Sequence, residues 1–278
     1  MAAVEDRPDM ERTAQTDEMR RIWDAKAAFW DERMGDGNQF QRELIGPAVD
    51  RLLAVQPGEH ILDVGCGNGV SSRGLARRAA RVVAIDFSAR FLERARSRET
   101  KDANPIDYRL VDATDEAQLL ALGEGQFDAL LCSMVLMDMP TIAPLLSAAR
   151  RLLTANGRFV FAIQHPAFNS NAVRLCAEAE TRHDGLEIVT HAVKISHYLT
   201  VPAGKGTGMP GEPEAHWYFH RPLHELFGAF FAAGFVLDGL EEPAFQAQDA
   251  DPRRLTWANV PDIPAVLVAR FVPRAGEV

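Results

Sequence analysis

The sequence predicts an α/β fold in which helices cover both faces of a seven-stranded, mostly parallel β-sheet. Short apolar segments alternate with helical ones between residues 60 and 164, as expected of parallel strands buried on both faces. Two further apolar segments, 235–243 and 265–272, supply the closing strands. The glycine-rich stretch ILDVGCGNGVSSRGLA (61–76) joins the first predicted strand to a helix.

The spacing of apolar residues predicts where each of the alternating strands and helices lies. Strands are predicted at 60–64, 82–86, 106–113, 127–134 and 158–164. Helices are predicted at 70–79, 88–97, 115–121, 141–153 and, before the closing strands, 222–235. Ser88 is expected to cap its helix, and Asn156-Gly157 is typical of a helix end. Upstream, apolar residues at helical spacing predict helices at 17–33 and 41–55.

Length and composition predict one domain, residues 17–278, after a flexible tail of residues 1–16. Two segments outside the β/α rhythm, 17–42 and 165–219, are expected to form lid-like elements. Within the second, a helix is considered at 171–180 and a strand or hairpin at 187–201. No long apolar run or signal core is visible, so we expect a cytoplasmic protein without membrane contact.

Charge, cysteine content and histidine spacing limit the kinds of partner and site that we expect. The formal net charge of −9 disfavours a nucleic-acid partner. The three cysteines are scattered and follow no metal or disulfide spacing. His216, His220 and His224 are spaced four apart, but Pro222 interrupts the helix that would align them, so no metal site is expected. Oligomeric state is left open.

Glycines between a strand and a helix provide a site for a polar ligand, because backbone N–H groups are free there and the helix dipole favours negative charge. Dinucleotide-binding loops have the spacing G-x-G-x-x-G, which would require glycine at position 70, where this chain has valine. The spacing here is D-x-G-x-G-x-G, beginning at Asp63. An NAD-type Rossmann oxidoreductase therefore remains an alternative that the spacing disfavours.

Five ordered motifs resemble the class I S-adenosylmethionine-dependent methyltransferases. They are LDVGCGNG (62–69), VVAIDFS (82–88), LVDATD (110–115), FDALLCSMVLMDM (127–139) and LLTANGRFVFAI (152–163). The resemblance covers about residues 45–165 and implies a Rossmann-like sheet and S-adenosyl-L-methionine as cofactor. A protein that binds this cofactor without catalysis is a further alternative.

The resemblance implies roles for individual residues. Asp86 would hold the ribose hydroxyls, Asp112 the adenine amine, and Ser133 with Met134 would border the methionine part. Phe87 is expected to cover adenine, and the Ala113 N–H to reach a ring nitrogen. The full set expected at the cofactor is Trp30, Phe40, Gly65, Cys66, Gly67, Asp86, Phe87, Asp112, Ala113, Ser133 and Met134. Cys66 is expected to be a small packing residue and not a nucleophile.

The methyl acceptor is expected to be a small molecule, with a specialised metabolite as the candidate class. The chain lacks the Pro-Pro-aromatic sequence of amino-adenine methyltransferases and the Pro-Cys of cytosine-C5 enzymes. Segment 26–42 resembles the N-terminal part of small-molecule methyltransferases, including those of quinone pathways. The sequence leaves open whether oxygen, nitrogen, sulfur or carbon is methylated.

Candidate residues for the acceptor lie after the fifth strand. His165 directly follows that strand, at the edge where open α/β sheets bind ligands, and is the candidate general base for a hydroxyl acceptor. His216, Trp217 and Tyr218 are expected to line the acceptor pocket.

Overall fold

A computed structural model describes residues 9–78, 80–100, 104–246 and 255–275, with side chains described from residue 14 onward. The strands are β1 (His60–Val64), β2 (Arg81–Asp86), β3 (Ile106–Leu110), β4 (Phe127–Ser133), β5 (Leu153–Gln164), β6 (Val173–Thr181), β7 (Glu187–Ile195), β8 (Gly204–Gly206), β9 (His216–Tyr218), β10 (Phe235–Glu241) and β11 (Val266–Pro273). The helices are α1 (Asp9–Met34), α2 (Gly46–Leu53), α3 (Val70–Arg77), α4 (Ala89–Ser97), α5 (Glu116–Leu120), α6 (Ala143–Leu152) and α7 (Leu223–Ala232).

Seven strands form the main sheet in the order β10-β11-β5-β4-β1-β2-β3. Neighbouring strands from β3 to β5 pair in parallel, whereas β11 runs antiparallel to both β5 and β10. The predicted Rossmann-like sheet is therefore confirmed. Parallel strands end at one edge, so the loops that follow β1, β2, β3 and β4 are brought together.

Helices pack on both faces of the sheet, as predicted. Alternate residues of each strand point to opposite faces, so Leu62 and Val64 of β1 join one apolar core and Ile61 joins the other. The first core includes residues of α5, α6 and α7, and the second includes residues of α2, α3 and α4. No helix in the described ranges is both long and apolar enough to cross a bilayer.

The long helix α1 lies outside these two layers and packs against α4. The rings of Trp23 and Phe91 lie 6.0 Å apart across this contact. Ser88 caps α4, as predicted, by accepting a hydrogen bond from the Phe91 N–H at 3.1 Å. The Ser88 hydroxyl also donates to Asp24 of α1, so the cap ties the two helices together.

Several boundaries differ from the sequence prediction. The predicted tail is wrong for residues 9–16, because α1 begins at Asp9 and Thr16 is already buried; residues 1–8 lie outside the described residues. The possible helix at 171–180 is wrong: β6 pairs with β7 as an antiparallel hairpin. Helix α6 ends at Leu152, and Asn156-Gly157 lies inside β5.

Candidate cofactor and acceptor site

A cavity of about 520 Å³ opens at the edge where β1 to β4 end, within the size range of small-molecule sites. Helix α1 covers it with Thr16, Met19 and Trp23. The structure brings every residue predicted at the cofactor to its wall: Trp30, Phe40, Gly65, Cys66, Gly67, Asp86, Phe87, Asp112, Ala113, Ser133 and Met134.

The glycine loop is required by the protein's own packing. Gly65 and Gly69 have φ of 68° and 77°, which disfavours residues with a Cβ. A Cβ on Gly65 would lie 2.4 Å from Cγ2 of Val135, and one on Gly69 would lie 2.7 Å from the Tyr108 hydroxyl oxygen. The loop thus packs closely on the segments that follow β4 and on β3.

Asp86, the last residue of β2, is only 6% exposed. One carboxylate oxygen accepts from the Gly67 N–H and the other from the Ser88 N–H, each at 2.9 Å. Burial nevertheless raises the pKa of Asp86 to about 6, because desolvation outweighs these hydrogen bonds. A carboxylate has about four acceptor positions, so Asp86 keeps acceptor capacity for a ligand in the cavity.

A second acidic residue, Asp63, lies in the same wall. It is 1% exposed and accepts a hydrogen bond of 2.5 Å from the Ser72 hydroxyl of α3. Burial raises the pKa of Asp63 to about 6, and the neighbouring Asp86 adds to that increase. The start of the loop is therefore fixed to the helix that follows it.

Asp112 lies two residues beyond β3 and already has protein partners. Its Oδ1 accepts from the N–H and hydroxyl of Thr114, at 2.8 and 2.7 Å. Its Oδ2 accepts from Arg20 of α1 at 2.8 Å, and the same guanidinium lies 5.9 Å from the centre of the Phe87 ring. The sequence prediction missed Arg20, because a charged helix residue is more often solvent-facing.

The loop after β4 carries a second constrained backbone position. Met134 has φ of 61°, a left-handed conformation that is uncommon for a residue with a side chain. Its N–H donates to the carbonyl of Ala162 in β5 at 2.8 Å. This anchor turns the chain so that Ser133 and Met134 both face the cavity.

The two predicted lid-like segments contact each other directly. Glu212 of the second segment accepts from Lys26 of α1 at 2.5 Å and from the Trp30 indole at 2.6 Å. The side chains of Lys26 and Glu212 are both fully buried. Nearer the surface, Glu18 accepts from Trp217 at 2.8 Å. Neither Lys26 nor Glu212 was a predicted site residue.

Two of the three residues predicted for the acceptor pocket face the cavity. His216 and Tyr218 line it, whereas Trp217 does not. Successive residues of a strand point to opposite faces, so β9 sends Trp217 away from the cavity, toward Phe219 and Lys205. The prediction for Trp217 is therefore corrected by the strand geometry.

His165 is buried but is not part of the cavity wall. Its Nδ1 accepts from the Ala167 N–H at 3.2 Å, and its Nε2 lies 2.8 Å from a carboxylate oxygen of Glu242. Burial lowers the pKa of His165, with Glu242 opposing that effect. Both ring nitrogens are engaged within the protein, so this geometry does not support His165 as a general base.

A further acidic residue, Asp138, lies in the short 3₁₀ turn Leu136–Asp138 after β4. Asp138 lines the cavity, and its Oδ1 lies 3.8 Å from Nε2 of His216. Burial raises the pKa of Asp138 well above its usual range, and the Lys26 ammonium only partly opposes this. The only feature of the sequence that pointed to Asp138 was its position shortly after the end of β4.

Metal-ligating residues do not cluster in the ranges that the structure describes: no group of three or more His, Cys, Asp or Glu side chains could hold an ion there. Cys66, in the cavity wall, is 6% exposed, and burial raises the pKa of its thiol well above the ordinary value. A group held in the thiol form is a poor nucleophile.

Comparison with known proteins agrees with this geometry. A family model described as a methyltransferase domain matches residues 62–161. The chain is 32% identical over 138 residues to the ubiquinone biosynthesis O-methyltransferase of Dechloromonas aromatica, a match that covers 50% of this chain and 55% of that protein. For the enzyme of the same name from Xanthomonas oryzae pv. oryzae the identity is 36% over 133 residues, with 47% and 53% covered. The chain spans about half the length of these curated relatives.

Solved structures extend the likeness to most of the chain. The S-adenosylmethionine-dependent methyltransferase from Mesorhizobium loti matches with a TM-score of 0.62 at 24% identity. The match covers 81% of this chain and 95% of that protein's chain. The CcbJ methyltransferase from Streptomyces caelestis has a TM-score of 0.57 at 18% identity, with 91% and 98% covered. At these identities the likeness shows the fold. Residues 62–161 therefore resemble a methyltransferase domain, and the chain shares the fold of the solved S-adenosylmethionine-dependent methyltransferases.

Proposed function

We propose that the protein transfers the methyl group of S-adenosyl-L-methionine to a hydroxyl group of a small molecule. The observation that supports this most directly is the convergence of the glycine loop, Asp86 and Asp112 on one cavity. These three features lie at the ends of β1, β2 and β3 in order, as in the motifs of the family. Solved relatives include complexes with S-adenosylhomocysteine and S-adenosylmethionine.

In this arrangement Asp86 holds the ribose and Asp112 faces the adenine amine. Phe87 and Ala113 flank the base, while Ser133 and Met134 border the methionine part. This placement of the cofactor leaves the end of the cavity lined by Trp23, His216 and Tyr218 for the acceptor. Two rings at this end lie tilted against each other, with Trp23 and His216 centroids 4.6 Å apart and their planes at 50°. Such a wall favours a compact acceptor with an apolar body.

A hydroxyl acceptor is favoured by the relatives named ubiquinone biosynthesis O-methyltransferase. Methyl transfer from a sulfonium is assisted mainly by positioning and by exclusion of water, and the α1 cover provides both. A specialised metabolite is one source of such an acceptor. The net charge of −9 supports a small molecule over a nucleic acid as substrate.

Calorimetry with S-adenosylhomocysteine and with NAD tests the cofactor assignment. We expect saturable binding of S-adenosylhomocysteine and none of NAD; the opposite result would favour the oxidoreductase alternative. A methyl-label transfer screen against metabolite fractions, followed by mass spectrometry of the labelled product, then tests for catalysis. Binding without transfer to any fraction would favour a non-catalytic binding protein.

A further inference from the structure

Asp138 has a buried carboxyl oxygen in the wall of the cavity. Its Oδ1 has no hydrogen-bond partner among the described residues, although the side chain is 13% exposed toward the cavity that it lines. The turn that carries it is held by Arg221, which donates to the carbonyls of Leu136 and Met139 at 2.9 and 2.7 Å. Buried unpaired oxygens are costly and uncommon, so this position suggests a role beyond packing.

His216 faces Asp138, and its tautomer follows from its other neighbour. Nδ1 of His216 lies 2.5 Å from the Lys26 Nζ and 3.4 Å from Oε1 of Glu212. The shorter contact is to a group that only donates, so Nδ1 accepts and Nε2 carries the hydrogen. That N–H lies 3.8 Å from Oδ1 of Asp138, slightly beyond hydrogen-bond distance.

We propose that Asp138 accepts the proton of the hydroxyl group that is methylated, and that His216 serves as a neutral donor that stabilises the Asp138 carboxylate. Lys26, paired with Glu212, is a positioning residue that fixes the tautomer of His216. This inference rests on the proposed function and assigns the proton transfer to Asp138 instead of His165.

The step balances without any further reactant. The hydroxyl oxygen attacks the methyl carbon of S-adenosylmethionine, and an O–CH₃ bond forms while the S–CH₃ bond breaks. The electron pair of the broken bond stays on sulfur, which becomes the neutral thioether of S-adenosylhomocysteine. The hydroxyl proton passes to the Asp138 carboxylate and leaves to solvent after product release.

The charges around Asp138 suit a base that works nearer neutral pH than an ordinary carboxylate. The groups that face it are Lys26 from α1, Glu212 from the segment before β9, and His216 and Tyr218 from β9. Burial, with a smaller addition from Glu212, raises the pKa of Asp138, and Lys26 opposes that increase. Burial and the Lys26 charge lower the pKa of His216 to about 4, so this ring stays neutral.

The first experiment needs no acceptor. Nitrogen NMR of histidine-labelled protein, with His216→Phe to assign the signal, reports the tautomer and charge of this ring. At pH 6 we expect a neutral His216 with hydrogen on Nε2, where an ordinary histidine is largely protonated. A protonated ring, or hydrogen on Nδ1, would overturn the proposal even if S-adenosylmethionine binding is confirmed.

The second experiment compares Asp138→Asn with the parent, and with Asp107→Asn as a matched control on the exposed side of β3. Transfer of labelled methyl from S-adenosylmethionine to catechol, 4-nitrophenol and 3-hydroxybenzoate is measured, with aniline as the amine probe. For the hydroxyl probes we expect kcat to fall about a hundredfold in Asp138→Asn, with S-adenosylhomocysteine affinity and melting temperature near the parental values.

The pH profile separates a base from a residue that only supports the fold. In the parent, kcat should rise with pH through the pKa of Asp138, and this rise should vanish in Asp138→Asn. Parental kcat in the variant, transfer to aniline alone, or no transfer to any hydroxyl probe by protein that binds S-adenosylmethionine would each refute the assignment. Failure to bind S-adenosylmethionine would instead refute the proposed function.

Discussion

Replacement of Asp86 by asparagine tests how this fold would hold the cofactor. In the unliganded protein the two Asp86 oxygens accept from the N–H groups of Gly67 and Ser88, which leaves about two acceptor positions for a ligand. Hydrogen bonds from ribose hydroxyls to a carboxylate contribute about 1.5–3 kcal/mol each and are not fully additive. Asp86→Ala should therefore lose about 3 kcal/mol of S-adenosylhomocysteine affinity, on the order of a hundredfold.

Asp86→Asn keeps the shape and one acceptor but loses the charge, so its affinity should fall between the parent and Asp86→Ala. The variant also reports on pH. The pKa of Asp86 is raised to about 6 in the unliganded protein, and a ligand that donates to it binds best to the ionised form. Protons therefore compete with the ligand, and affinity should rise with pH up to about pH 7. At pH 5, one unit below that pKa, affinity should be about tenfold weaker than at the plateau.

Calorimetric titration of S-adenosylhomocysteine between pH 5 and pH 8 measures both effects. The pH dependence of binding that comes from the Asp86 carboxyl should disappear in Asp86→Asn. This separates the effect of Asp86 from that of Asp63, whose pKa is also raised to about 6. Asp107→Asn, in an exposed ion pair on β3, should bind like the parent. If folded Asp86→Asn and Asp86→Ala both bind as tightly as the parent, Asp86 serves only the loop, and the cofactor placement is wrong.

Four further outcomes are expected. Gly65→Ala should lower the unfolding free energy by about 2 kcal/mol or more in denaturant titration, because φ is 68° and the new methyl group clashes with Val135. The control Gly74→Ala, which has open space around it, should not lower the unfolding free energy. His165→Gln should keep its kcat while losing thermal stability, and a large fall in kcat at unchanged stability would contradict its placement outside the cavity. Arg20→Ala should tighten S-adenosylhomocysteine binding up to about fivefold by freeing Asp112, whereas weaker binding would mean that Arg20 holds the ligand. Methyl transfer should be unaffected by EDTA, and recovery of lost activity on adding a divalent ion would contradict this.

The sheet and the cavity wall at the ends of β1, β2 and β3 could be predicted because their signals are local. Each strand is a short apolar run, and the loop between β1 and α3 carries its own glycine spacing. Asp86 is the last residue of β2 and Asp112 lies just beyond β3, and parallel pairing brings strand ends to one edge. The helix cap at Ser88 could likewise be predicted from local sequence, because its partner Phe91 lies only three residues further on. Residues placed by local pattern and parallel topology were therefore found from sequence.

His216 and Tyr218 were predicted for the acceptor side of the cavity, but the residues that hold them in place were not, because these partners are far apart in the chain. Lys26 and Glu212 are separated by 186 residues, and an isolated lysine in a helix is normally solvated. His165 lies just beyond β5, much as Asp86 lies at the end of β2. The two ring nitrogens of His165, however, already contact Glu242 and the Ala167 N–H. Strand order alone says which residues reach an edge, but not which side chains are already paired there.

The cover formed by α1 has two energetically different halves. Toward its N-terminal end, Arg20 and Arg21 make ion pairs while 40% and 60% exposed, and such pairs contribute little. Toward its C-terminal end, Lys26 is fully buried against Glu212, and Asp31, 8% exposed, pairs with Arg98. Removing one partner of a buried pair costs several kcal/mol. These ion pairs therefore hold the part of α1 beside His216 more firmly than the part above Asp112.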